Sequence, residues 1–205
     1  MTNATDVLDM YRKYPSYVIG FHGCSKKTYE KIIYLNKTLE PSKNKYDWLG
    51  NGVYFWENDY QRALEWANNR YGEEAAVIGA FIDLGYCLNL ASSDAIDILK
   101  ISYEQLKALF ESRKEELPKN ESGGKSKDEL IRNLDCSIIQ NVHEYNKSQG
   151  YKAFDTVRGL FTEGDEAYPG AGFTEKAHIQ IAIRNPNCIR GYFSPRKIDF
   201  RYNLP

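Results

Sequence analysis

The run Leu49-Gly50-Asn51-Gly52-Val53-Tyr54-Phe55-Trp56 constrains this chain more than any other stretch, because it sets a glycine-rich turn directly against an aromatic strand. Two glycines let a backbone turn tightly and approach a ligand without obstruction by a Cβ. Strand alternation then sends Tyr54 and Trp56 to one face and Phe55 to the other, so one face can stack a flat ring while the other enters a core. A β-turn feeding an ordinary core strand has the same signature, since a lone Gly-x-Gly is not specific. The company this stretch keeps decides between the two.

At 205 residues, 42% hydrophobic and 27% charged, the chain suffices for one sizeable core, and a single domain over residues 1–205 with insertions is expected. Its 27 basic and 28 acidic side chains leave a formal charge of −1, so no global field recruits nucleic acid or an anionic membrane. Four separated cysteines without a Cys-x-x-Cys pair, and three histidines, predict neither a disulfide framework nor a zinc site. A reducing cytoplasm is the expected location. Residues 1–14 lack an apolar signal core and no run approaches ~18 apolar residues, so neither signal-directed secretion nor membrane spanning is expected.

In chain order, Thr5 to Tyr14 reads as a short helix stopped by Pro15, and Tyr17 to Gly23 as a strand with His22 at its end. Ser25 is placed to cap a helix through Tyr34. Asn58 to Gln61 resembles a capping box for a helix that runs to about Arg70 and stops near Gly72, with Ala63, Trp66, Ala67 and Arg70 on one face. Ala75 to Leu90 reads as two strands or one bent at Gly85. Residues 92–150 turn helical, with a break at Lys119 to Lys125, a second helix capped by Ser126 and Glu129, and His143 expected at the surface. Thr162 to Glu175 is an acidic, glycine-rich loop of functional length. It leads into Ala177 to Ile183, a strand whose alternation sets His178 and Gln180 on one face. Cys188 to Phe193 reads as a further short strand.

A strand ending in His-Gly, then Gly-x-Gly-Val-Tyr-Phe, an alanine/aromatic helix and a strand with a polar residue aimed into a cleft: this order resembles the ADP-ribosyltransferases. The likeness is to the branch related to the poly(ADP-ribose) polymerases. Phe21-His22-Gly23-Cys24 resembles that family's His-Gly-Ser/Thr strand, and Gly50 to Phe55 its Gly-Lys-Gly-Ile-Tyr-Phe. Ala63 to Trp66 is similar to its Ser-Ala-x-Tyr helix with one residue inserted, and Gly79 to Leu90 to the strand that follows. The resemblance spans roughly residues 17 to 90 and 170 to 195; the helical middle is unmatched.

The resemblance implies an α+β fold with a split β-sheet, a cleft for NAD as co-substrate, a helical insertion over about 92–150 and no metal. It implies that His22 holds the adenosine ribose, that Gly23 and Gly52 bring backbone close to the cofactor, and that Tyr54 and Trp66 sandwich the nicotinamide. The third motif departs from the family. An ungapped alignment puts Gln180 where the family carries its catalytic Glu, and a shifted one puts Glu175 there, so the reacting set is Tyr54 with Gln180 or Glu175. Cleavage of the nicotinamide–ribose bond develops an oxocarbenium ion, which a carboxylate stabilises better than an amide. Glu175, Glu163 or Glu166 is then the candidate source of charge, and single transfer rather than chain elongation is expected.

The implied function is an NAD-dependent mono-ADP-ribosyltransferase acting on an intracellular macromolecule, RNA, DNA or protein, in the manner of a bacterial toxin or phage-defence enzyme. An antitoxin protein is the partner such an enzyme implies. Arg158, Arg184 and Arg190 among aromatics permit a nucleic-acid acceptor. The alternative is a catalytically inactive NAD-binding module of the same fold, motivated by Gln180. A third reading, RNA 2′-phosphotransferase, lacks an evident set of catalytic arginines.

Overall fold

The computed structural model describes residues 17–44, 47–123 and 128–203. The helix expected over Thr5 to Tyr14 and the cap at Ser126 lie outside them. Strand β1 (Tyr17–Ser25) leads into helix α1 (Lys26–Ile33), then β2 (Val53–Glu57), α2 (Tyr60–Tyr71), β3 (Ala75–Asp83) and β4 (Cys87–Asn89). After these come α3 (Ser93–Arg113), the two-residue strands β5 (Asn120–Glu121) and β6 (Ile131–Arg132), and α4 (Asn133–Ser148). Strands β7 (Thr156–Phe161), β8 (His178–Ile183) and β9 (Ile189–Phe193) complete the chain. No helix among the described residues is long and apolar enough to cross a membrane.

The result is an α+β architecture around one mostly antiparallel sheet ordered β4-β7-β8-β2-β1-β3-β9. Its shape follows from a length argument. Strands β3 and β4 stand five positions apart, about 24 Å if the sheet were flat. Only Leu84, Gly85 and Tyr86 join them, a tether of about 14 Å at full extension. The sheet must therefore fold over on itself, and the weak point is the β1–β2 junction, where only Gly20↔Glu57 and Phe21↔Trp56 pair. Two half-sheets result, and residues from both, among them Phe55, Ile181, Ile78 and Ile82, form the main apolar cluster. Gly85 makes the turn with a φ of 58°.

Helix α2 covers the outer face of β1 and β3, burying Ala63 and Ala67 completely. The α3–α4 pair makes the crossover between the parallel neighbours β4 and β7 and covers Val157 and Ala182. Residues 92–150 are thus a two-helix crossover, and α3 is one continuous helix of 21 residues.

Three local expectations shift. The cap of α2 is Asp59, whose carboxylate accepts from Arg62 N at 3.0 Å, because Asn58 takes a left-handed φ of 51° and delays the helix by one residue. Helix α4 starts at Asn133 rather than near Ser126, since Ile131 and Arg132 pair with β5. That pairing brings Asn120 to the helix end, where its Oδ1 accepts from Leu134 N at 3.1 Å and Asp135 N at 3.3 Å. His143, expected at the surface, is buried at 7% exposure beside Phe154.

Candidate functional site

Between α2 and the α3–α4 pair, the outer face of β2 and β8 stays uncovered and floors a cleft of about 360 Å³. Alternation along both strands lines it with Tyr54 and Trp56 from β2 and with His178 and Gln180 from β8, Trp56 standing directly opposite Gln180. Trp66 and Arg62 on α2 form one wall, and Trp48 and Phe161 contribute to the other. His22, Gly23 and Gly52 also reach the cleft, so six of the seven site residues named from sequence share it. The seventh, Glu175, is exposed on the loop, held by its backbone N–H to Asp165 O.

His22 occupies the point where the half-sheets part. Beyond Phe21↔Trp56 the ladder has no further pair, and the His22 imidazole spans the gap, Nδ1 donating to Tyr54 O at 2.8 Å. A carbonyl accepts only, so the neutral ring keeps its proton on Nδ1 and offers Nε2 as an acceptor. Burial lowers the His22 pKa, against the smaller opposing effect of that hydrogen bond. Gly23 is required by packing: a Cβ there would lie 2.4 Å from Ala63 O, so any side chain would lift α2 off the strand.

The two glycines of the aromatic turn have separate reasons. Gly50 has a φ of 80°, and a Cβ on Gly52 would meet Ile183 O at 2.8 Å. Tyr54 locks the turn, its hydroxyl accepting from Leu49 N and donating to Gly50 O, both at 2.8 Å. Burial drives the phenol pKa far up. Tyr54 therefore offers the cleft a ring rather than a proton.

Gln180 is held by a relay. Trp48 Nε1 donates to its Oε1 at 2.7 Å, its Nε2 donates to His178 Nε2 at 3.1 Å, and His178 Nδ1 donates to Lys176 O at 2.7 Å. Burial lowers the His178 pKa, which keeps the ring in the neutral form this relay needs. One amide N–H and one carbonyl lone pair of Gln180 remain for a ligand.

Of the three loop glutamates offered as a source of charge, only Glu163 lines the cleft. It pairs with Arg62 at 2.8 Å, the two side chains 19% and 17% exposed. Glu166 is exposed and accepts from Gly170 N. Asp47, buried and on the cleft, has a pKa raised by burial despite hydrogen bonds from Ser42 and Asn44. The three arginines offered for nucleic acid are engaged elsewhere. Arg158 pairs with Glu57, Arg190 with Asp83, and Arg184 donates to Gln140 and Asn51.

Sequence reasoning missed Trp48, Asp47 and Arg62 as cleft residues. The signal for Trp48 lies on another strand: Gly159, opposite Gln180, leaves room for the indole, since a Cβ there would sit 2.6 Å from the Trp48 ring. No group of three or more metal-ligating side chains occurs among the described residues.

Fold and site together define an α+β protein with a ligand-sized, aromatic-walled cleft at the junction of two half-sheets. No family model matches the chain. It is similar to an uncharacterized protein of Methanocaldococcus jannaschii, 28% identical over 193 residues that cover 83% of each chain. No solved structure matches it.

Proposed function

We propose that the chain is an NAD-dependent mono-ADP-ribosyltransferase with the split-sheet fold of that family, acting on an intracellular macromolecule. The observation that carries this reading is the 2.8 Å bond from His22 Nδ1 to Tyr54 O. It joins the His-Gly and Gly-x-Gly-Val-Tyr-Phe motifs in one cleft with Trp66 and Gln180. These are the residue types that breaking a nicotinamide–ribose bond calls for.

In this reading His22 Nε2 accepts from a ribose hydroxyl, and the rings of Tyr54 and Trp66 flank the nicotinamide. The oriented Gln180 amide hydrogen-bonds the sugar whose anomeric carbon becomes cationic. An amide contributes a dipole where a carboxylate would contribute a charge, so slow single transfer is expected. Glu163 adds a negative charge on the cleft wall.

A second reading, an inactive NAD-binding module, is favoured by the commitment of both Gln180 polar atoms to Trp48 and His178. Incubation with labelled NAD and a cell lysate, split into nuclease-treated and protease-treated halves, separates the two. Transferred label identifies the acceptor class by which treatment removes it. NAD binding without label transfer or nicotinamide release would leave the inactive module standing.

A further inference from the structure

A second cavity, of about 530 Å³, shares no lining residue with the cleft. Ile98, Ile101, Ser102 and Gln105 recur at helical spacing along α3 and line it together with Val142 and Tyr145 of α4. The segments entering β4 and β7 supply Tyr86 and Phe154, whose rings stack with planes 3° apart and centroids at 4.6 Å. The main chain fixes this stack: Tyr86 N donates to Asp155 Oδ2 at 2.9 Å, and Asp155 N donates to Tyr86 O at 2.8 Å. A stack held in this way is a preformed shelf, and a further flat ring prefers the same offset parallel arrangement. The volume is that of a small-molecule site, mostly apolar with a few polar groups to fix orientation. Ser102, Gln105 and Asn146 supply neutral polar groups.

The sign of the ligand follows from the one charged residue among those described that line the cavity, Lys152. Its side chain is exposed, and its ammonium stands over the Tyr86 ring, 4.4 Å from the centroid. A cation on a ring face at an exposed position is weakly held. An anion offers that ammonium charge-assisted hydrogen bonds, which are the stronger interaction. A cationic ligand would meet the like charge of Lys152, and a neutral ring would have to displace the ammonium with nothing to receive it.

We propose that this cavity is a second ligand site, for a flat aromatic carboxylate. The ring takes the face of Tyr86, and Lys152 yields that face to follow the carboxylate. Tyr145 and Tyr151, exposed and with centroids 6.2 Å apart, close over the ligand from the rim. The site stands whether or not the cleft transfers ADP-ribose.

Naphthoate serves as the probe, against naphthamide and naphthyltrimethylammonium, with binding to the intact protein measured by calorimetry. Naphthoate is expected to bind more tightly than either, and about tenfold more weakly in Lys152→Gln than in the parent. Ile101→Asp, which sets a negative charge at the rim, is expected to weaken naphthoate more than naphthamide. Both positions are exposed, so neither substitution disturbs the core. Equal binding of naphthamide, or tighter binding of the ammonium, overturns the anionic ligand. Naphthoate binding that neither substitution changes lies elsewhere and overturns the site, as does absence of binding. Self-association of the chain that Ile101→Asp abolishes would assign this face to a second copy and overturn the ligand site.

Discussion

The Glu163 carboxylate lies 2.8 Å from the Arg62 guanidinium, tying the loop after β7 to the cleft face of α2. Arg62 also holds Glu65 at 2.7 Å, so one cation organises two carboxylates that differ in exposure, 19% for Glu163 and 42% for Glu65. Loss of the less exposed partner leaves a largely buried charge half-neutralised. Glu163→Gln is expected to lower unfolding free energy by about 1–3 kcal/mol, between the limits for surface and buried pairs. Glu175→Gln, on the exposed loop, is expected to change it by less than about 0.5 kcal/mol. Denaturant titration of both variants checks the contrast, and equal effects would count against the buried role of Glu163.

Gln180 stands where charge matters most in the proposed reaction. Gln180→Glu puts a carboxylate beside the developing oxocarbenium ion while Trp48 Nε1 still has an acceptor. Nicotinamide release is expected to rise about tenfold, a gain of 1.4 kcal/mol in the transition state. An unchanged or slower single-turnover rate would argue that Gln180 does not face the reacting sugar.

Gly23 tests the packing of α2. The built Cβ falls 2.4 Å from Ala63 O and 3.2 Å from both Ala67 and Trp66. Since a backbone oxygen cannot rotate away, Gly23→Ala must shift the helix and is expected to cost about 1–3 kcal/mol as an overpacked site. It also moves Trp66, so the NAD affinity expected under the proposed function should fall with it. A variant as stable as the parent would show that α2 has slack.

His143 supplies a pH dependence. Both ring nitrogens are buried without a hydrogen-bond partner among the described residues, and burial lowers its pKa from 6.5 to about 3. The unfolded chain therefore binds the proton first as pH falls, and the stability of the neutral, buried form, complete above 6.5, is lost progressively down to about 3. Between pH 7 and pH 5 this one group accounts for a decrease of about 2 kcal/mol. His22 and His178, also lowered by burial, act with the same sign. Unfolding free energies at the two pH values, in the parent and in His143→Phe, isolate the share of His143: the variant should show a flatter profile.

Much of the fold can be read locally. Strand β8 is legible because Ile179, Ile181 and Ile183 alternate with His178, Gln180 and Ala182, and the end of α2 because Gly72 adopts a φ of 55° there. Strand β7 escaped because Arg158 and Gly159 interrupt its apolar pattern. Each has a partner remote in sequence, Glu57 for the arginine and the Trp48 ring for the glycine. The start of α4 escaped because its cap, Asn120, lies thirteen positions ahead of Asn133 and arrives only through the β5–β6 pair.

Sequence alone determined the turn at Gly50, the facing of Tyr54 and Trp56 and the helix that carries Trp66, because backbone dihedral limits and side-chain periodicity act over a few residues; His22, expected at a strand end, lies inside β1, which runs on to Ser25 because its last residues pair with β3. Only the tertiary structure decided which carboxylate reaches the cleft, which indole orients Gln180 and which histidine is buried. Hydrogen bonding and burial act through space, and Trp48, Arg62, Glu163 and Gln180 become neighbours only when the sheet folds over at the β1–β2 junction.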